Sequence, residues 1–214
     1  VYLTKNYKPK INIKISKNEA EYYEEKFGNS IFIPAFHKNR KITINTGTGT
    51  YILYHGNLSV SENIEAVKYI VRKIISVRNY HFIVAGKNPS AKLVTWLEKY
   101  KQIDIVPNPD EARLNSLISN AQINLLFTFQ PTGFKLKLLH SLFNGRHCLV
   151  NPLMVNGTGL EEACHVVSGP EQAIRMADHL MAKPFNEEEI EQRKKNLLNY
   201  ANRDNAEKII RLMN

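Results

Sequence analysis

The chain has 214 residues, 43% of them hydrophobic, enough to bury one full core, or one core with an appendage. Its 29 Lys and Arg against 20 Asp and Glu leave a net charge of +9, which favours an anionic partner: nucleic acid, a phosphorylated small molecule or an acidic membrane surface. No run of about 18 apolar residues and no signal-peptide layout occurs, so the sequence offers neither a membrane-spanning helix nor an export address. It opens with Val1 and runs straight into lysine-rich polar sequence, which reads as a segment of a longer protein. Cys148 and Cys164 sit in apolar, strand-like runs as small buried residues rather than a disulfide pair, and a reducing cytoplasm fits that usage. The lysines are scattered, with no arginine-rich helix and no zinc-finger or RNA-recognition signature, so nucleic acid is not an expected partner.

In chain order, the stretch from Ile15 to Gly28 and the run Ile31 to Pro34 read as a strand end, a helix and a strand without a sheet of their own, like the edge of another domain. Lys38 to Thr50, rich in Lys, Asn, Thr and Gly, reads as a flexible connector. Short apolar runs then recur at Tyr51 to His55, Tyr80 to Ala85, Ile103 to Val106, Ile123 to Phe127, His147 to Val150 and His165 to Val167.

Helical patterns lie between most of these runs. Ile64, Val67, Val71, Ile74 and Ile75 mark one, capped by Ser59 or Ser61, with Glu62 closing a capping box to Ser59. Leu93, Trp96, Leu97 and Tyr100 mark the next, which makes Trp96 a core residue. Asp110 caps a helix through Leu114, Leu117 and Ile118. Ile174, Ala177 and Met181 mark a later one, and Ile190, Leu197 and Leu198 the last long one.

Strands separated by helices of this length imply right-handed crossovers and a parallel sheet covered on both faces. The expected fold is therefore α/β and Rossmann-like: residues 1–50 a domain edge plus connector, 51–182 the Rossmann-like domain, 183–214 C-terminal helices.

The most chemical segment runs from Gly133 to Asn151. Gly133 permits close approach of a ligand, and a helix starting there presents unpaired N–H groups and a positive dipole end. Lys135 and Lys137 add fixed charge beside it, while Leu136, Leu139 and Phe143 commit one face to a core and Gly145 offers a C-cap. The alternative is an ordinary amphipathic helix with solvated lysines. In doubly wound sheets ligands bind outside the carboxyl ends of the strands. Those positions hold Gly56 and Asn57, then Gly86, Lys87 and Asn88, then Pro107 and Asn108, then Thr128 to Lys135, and finally Asn151 and Asn156 to Gly159. Glycines, amides and lysines suit a polyphosphate ligand. Neither the P-loop nor the dinucleotide glycine fingerprint occurs, which disfavours a kinase, ATPase or dehydrogenase. No spacing among the seven histidines and two cysteines suggests a metal site.

Ile15-Ser-Lys-Asn-Glu-Ala, Tyr54-His-Gly-Asn-Leu-Ser with Asn63-Ile-Glu-Ala66, Val84-Ala-Gly-Lys-Asn-Pro89, and Gly133-Phe-Lys-Leu-Lys-Leu-Leu-His140 through Gly145 follow one another in an order that resembles a known family. It is the carboxyl-terminal, nucleotide-sugar-binding half of bacterial group 1 glycosyltransferases with the two-domain GT-B fold, over about Ile15 to Met181. The resemblance implies one half of a GT-B enzyme that moves a sugar from a nucleotide-diphosphate donor to an acceptor hydroxyl, in cell-surface polysaccharide or glycan synthesis. On that carry-over the diphosphate meets Gly56, Asn57, Lys87, Thr132, Gly133, Phe134, Lys135 and Lys137. Pro107 and Asn108 face the base, and His140 a ribose or sugar hydroxyl. Many members carry two glutamates where this chain has Thr132 and His140. The catalytic residues are left unassigned, because most acid-base groups and the acceptor site lie in an amino-terminal domain. No cofactor or metal is expected. The partners implied are the donor, an acceptor glycan or lipid-linked sugar and the amino-terminal domain, with room for a peripheral contact at the inner membrane surface where the acceptor is lipid-linked. Two alternatives stay open: a non-catalytic nucleotide-sugar-binding or assembly module, and a GT-B epimerase or phosphorylase.

Overall fold

The computed structural model describes residues 11–39, 41–130 and 136–213. A small parallel pair comes first, β1 (Asn12–Lys14) and β2 (Ser30–Phe32), joined by α1 (Lys17–Phe27). These strands pair with one another, so the segment has a two-stranded sheet of its own. The main sheet follows: β3 (Ile52–Asn57), α2 (Ser61–Lys73), β4 (Phe82–Lys87), α3 (Ala91–Leu97), β5 (Ile103–Pro107), α4 (Glu111–Asn120), β6 (Ile123–Leu126), α5 (Leu136–Asn144), β7 (His147–Val150), α6 (Pro152–Val155), β8 (His165–Val166) and α7 (Pro170–Ala182). Two further helices, α8 (Glu187–Asn196) and α9 (Asn202–Met213), follow.

All six strands are parallel, in the order β5-β4-β3-β6-β7-β8. The chain winds outward from β3 to one edge, returns to β6, and winds to the other, so β3 and β6 flank the switch point where such sheets hold ligands. Alternation along each strand supplies both faces. Ile52, Tyr54, Phe82, Val84, Ile123 and Leu125 pack under α2, α3 and α7. Leu53, Ile83 and Ala85 pack against α4, while Leu126, Cys148 and Val150 pack against α5.

Several local expectations change. Helix α2 starts at Ser61 after Val60, without a side-chain cap, because Asn57 Oδ1 already accepts both the Ser59 hydroxyl, at 2.8 Å, and the Ser59 N–H, at 3.1 Å. The Asp110 cap does form, its carboxylate accepting from Arg113 N at 2.7 Å. Trp96 is only partly buried, against the core. The 38–50 connector is tied down rather than loose: Thr43 N donates to Phe143 O, Gly49 N donates to the Gln122 side chain at 2.6 Å, and Gly47 forms a β-bridge with Phe185. A Cβ at Gly49 would collide with the Asn120 carbonyl oxygen, so that position requires glycine. The last long helix divides into α8 and α9 around a 3₁₀ turn at Leu198–Tyr200, which turns Leu197 inward and leaves Leu198 69% exposed.

Candidate functional site

Between β3 and β6 only Ile52 with Ile123 and Leu53 with Asn124 stay in register, although β3 continues to Asn57. The two strands therefore part beyond Leu53, and His55 of β3 lines a cleft there. Helix α5 crosses its mouth. Lys137 reaches over the sheet edge, where its ammonium donates to the Tyr54 hydroxyl at 3.0 Å and to Asn63 Oδ1 at 2.9 Å. Tyr54 in turn donates to Asn63 Oδ1 at 3.0 Å, and Asn63 Nδ2 donates to Asn57 O at 2.9 Å. This network ties Lys137 of α5 through Tyr54 and Asn63 to Asn57 at the end of β3. Burial pushes the Tyr54 phenol well above its ordinary value, so it stays neutral.

One turn further along the same face of α5, His140 lines the same cleft. Its Nε2 lies 2.6 Å from Asn115 Oδ1 on α4, and its ring stands edge-on to His55, 5.8 Å between centroids. His55 is buried, with Nε2 2.9 Å from the Ser141 hydroxyl. Burial, reinforced by the Lys38 charge, holds His140 down at about 4, and burial also lowers His55 well below its ordinary value, so both rings are neutral at pH 7. A neutral imidazole fixed by one hydrogen bond suits a hydroxyl on its other nitrogen. The cleft between α5 and the connector measures about 520 Å³ and is lined by Phe36, His37, Lys38, Asn39, His55 and the α5 residues Leu136, Lys137 and His140. Lys38 reaches out to Glu111, 2.9 Å away, and that pair lowers the Glu111 carboxyl below its usual range.

At the neighbouring strand ends, Lys87 lies beside Asn57 in register and is exposed. Asn88 and Asn108 both adopt left-handed backbone, φ 53° and 51°, a conformation asparagine tolerates. The Asn88 N–H donates to Asn108 Oδ1 at 2.7 Å, which welds the tips of β4 and β5 together; Pro107 and Asn108 are exposed there. Thr132, Gly133, Phe134 and Lys135 lie outside the described residues. Leu136 is 52% exposed rather than core-facing, and α5 buries Leu138, Leu139, Leu142 and Phe143 instead. Gly145 is no left-handed C-cap: its missing Cβ makes room for the Asn124 side chain and Ser141 O. Among the described residues, no group of three or more His, Cys, Asp and Glu side chains is arranged to hold a metal ion.

Sequence reasoning overlooked Asn115 and the 36–39 loop. The loop follows Ile33 and Pro34 and carries an exposed aromatic beside a histidine and a lysine, a pattern with no periodicity to flag it. Asn115 sits within a helical repeat, and only the packing of α4 on α5 brings it to His140.

No protein-family model and no curated protein sequence matches the chain. Solved structures share its architecture. The chain is similar to S. aureus TarM, in a variant structure in complex with fondaparinux, α-GlcNAc-glycerol and UDP: TM-score 0.69 at 12% identity, covering 94% of this chain and 43% of that one. It is similar to a glycosyltransferase from Rickettsia africae, TM-score 0.67 at 12% identity over 95% and 62%. It is also similar to the sucrose-phosphate synthase of Thermosynechococcus elongatus, TM-score 0.69 at 14% identity over 94% and 57%. The chain has the fold of one half of a GT-B glycosyltransferase. It spans between 43% and 62% of the length of these proteins.

Proposed function

We propose that this chain is the donor-binding half of a glycosyltransferase, of hexosyltransferase type, that transfers a sugar from a nucleotide-diphosphate donor in the cytoplasm during cell-surface polysaccharide or glycan synthesis. The observation that carries it is the cleft beside the β3–β6 switch point, lined by the Lys137 side chain and the neutral His140 one turn apart on α5. The diphosphate would sit against Lys137, Gly56, Asn57 and residues 132–135. A ribose or sugar hydroxyl would meet His140, and the base would face Pro107 and Asn108. Lysines and backbone amides would neutralise the phosphates without a metal. The acceptor, a glycan or lipid-linked sugar, and the remaining groups would come with an amino-terminal domain. TarM has been seen with UDP, which supports a nucleotide ligand for the shared architecture.

One observation favours a second reading, a nucleotide-sugar-binding module without chemistry: the residues lining the cleft include no carboxylate. Calorimetric titration with uridine, guanosine and adenosine diphosphates tests both readings, since each requires one of them to bind. Silence with all three would sink the donor site. Lys137→Ala should weaken that binding by about tenfold, as expected for loss of one charge-assisted contact; unchanged affinity would leave Lys137 a purely internal strut of Tyr54 and Asn63. Incubating the longer protein with nucleotide sugars and acceptors then separates transfer from binding.

A further inference from the structure

One stretch of the chain concentrates basic charge, and the fold presents it around α2 and α3. Residues 58–101, which build α2, β4 and α3, hold eight Lys and Arg against three Glu and no Asp. Residues 170–214 hold eight of each sign, although α7 covers the same side of the sheet. Two open clefts flank α2. The one toward α3, about 680 Å³, is lined by Lys68, Arg72, Lys92, Lys99 and Trp96 with no carboxylate among its residues. The other, about 540 Å³, repeats Lys68 and Arg72, adds Lys73, Tyr69 and Phe129, and has Glu65 as its one carboxylate. Among the described residues, eight ion pairs form elsewhere and none includes Lys68, Arg72, Lys73, Lys92 or Lys99.

We propose that the α2–α3 face docks on the anionic, phosphate-bearing surface of a lipid bilayer. Its charge is spread rather than focused: at about 1.5 Å per helical residue, Lys68 to Lys73 cover roughly 7 Å of α2, and Lys92 on α3 with Lys99 just past its end carry the charge onto the neighbouring element. That array is wider than one phosphate group and matches a lattice of headgroups. Trp96 and Tyr69 are partly buried rings of the kind that settle at headgroup depth. Single-stranded nucleic acid fits less well, because it needs an open ring face on which to stack. The Arg72 guanidinium lies over the Trp96 ring, 5.5 Å from its centre, and Tyr100 packs edge-on to it at 5.3 Å. This face shares no lining residue with the crevice at His55 and His140, so either reading can fail without the other.

Vesicle co-sedimentation provides the test, comparing phosphatidylcholine alone with phosphatidylcholine mixed with phosphatidylglycerol at low and high salt. The chain should pellet with the anionic vesicles only, and release as salt screens the contact. Lys68→Glu/Arg72→Glu/Lys92→Glu/Lys99→Glu should weaken that binding by about tenfold or more. Lys195→Glu/Arg203→Glu/Lys208→Glu/Arg211→Glu, an equal charge change on α8 and α9, should leave most of it. Circular dichroism checks that the variants fold; the exposed pair Lys92→Glu/Lys99→Glu replaces the quadruple change if that one unfolds, with the same direction expected. Equal binding to neutral and anionic vesicles, equal loss in both variants, or tighter binding to a single-stranded DNA oligonucleotide than to vesicles would each overturn the proposal.

Discussion

At Gly86 a single added methyl would run into the Gly56 carbonyl oxygen on the neighbouring strand and into Leu58. Backbone cannot yield as a flexible side-chain tip can, so Gly86→Ala should cost about 3 kcal/mol, at the upper end of overpacking penalties; a urea midpoint equal to that of the parent chain would contradict the close approach. His140 makes a different kind of claim. Its imidazole takes a proton near pH 6.5 in the unfolded chain but only near 4 in the folded one. Between those values the unfolded state binds more protons, so stability is full above about pH 6.5 and declines as the pH falls toward 4. His165, also held down at about 4, and the lowered His55 and His147 act in the same direction. Denaturation midpoints at pH 7 and pH 4.5 should therefore differ, and His140→Gln should show a shallower decline over that window. The strand-end residues could be read from sequence because strand ends and glycines leave local marks. The partners of His140 could not, since Asn115 and His55 come from 25 and 85 positions away along the chain.

At the scale of elements, α5 decides the site and depends on a residue far from it. The Arg193 side chain, buried under α5, donates to Leu142 O at 3.1 Å, Gly145 O at 3.4 Å and Arg146 O at 3.0 Å. Leu142 O is in the last turn of α5 and the other two are in the turn that follows, where a helix leaves acceptors unpaired and carries its negative dipole end. Gly145 N–H still closes the helix by donating to Ser141 O at 2.8 Å, and a cation from α8 satisfies the carbonyls beyond Ser141. Arg193→Met keeps the volume and strands those carbonyls in a dry interior, at a cost of about 3 kcal/mol. Chemical denaturation reads this directly, and a variant as stable as the parent would show that water reaches the helix end. Helix identity was legible throughout α2, α4 and α7 from apolar spacing. Helix ends were less so: Asp110 caps as its sequence position implies, whereas the Ser59 box loses to Asn57, a competitor that is visible only once β3 ends there.

For the whole molecule, the connections of the β1–α1–β2 unit are few. Lys17 N donates to Gly157 O, the Asn18 amide to Asn156 Oδ1, and Asn202 clasps His37 through both its backbone groups, with His37 Nε2 2.8 Å from Tyr200 O. Ile13, Ile15, Tyr22 and Phe27 remain about half exposed on this unit, whereas β3, β4 and β6 are buried on both faces. Its amide hydrogens, residues 12–32, should exchange well before those of the central strands, since opening it removes little apolar contact. Equal protection in both would mean that the unit is part of the main cooperative core.

What the amino-acid order settled was periodic: strands of period two, helices of period 3.6, and therefore a doubly wound parallel sheet with its ligand edge at the strand ends. Those signals survive because each is carried by residues close together in the chain. Two features required the tertiary structure: the splaying of β3 from β6 that opens the crevice, and the anchoring of the connector by Gln122 and Phe185. Each depends on residues brought together from distant positions, where side-chain packing and backbone hydrogen bonding, not local propensity, choose the neighbour.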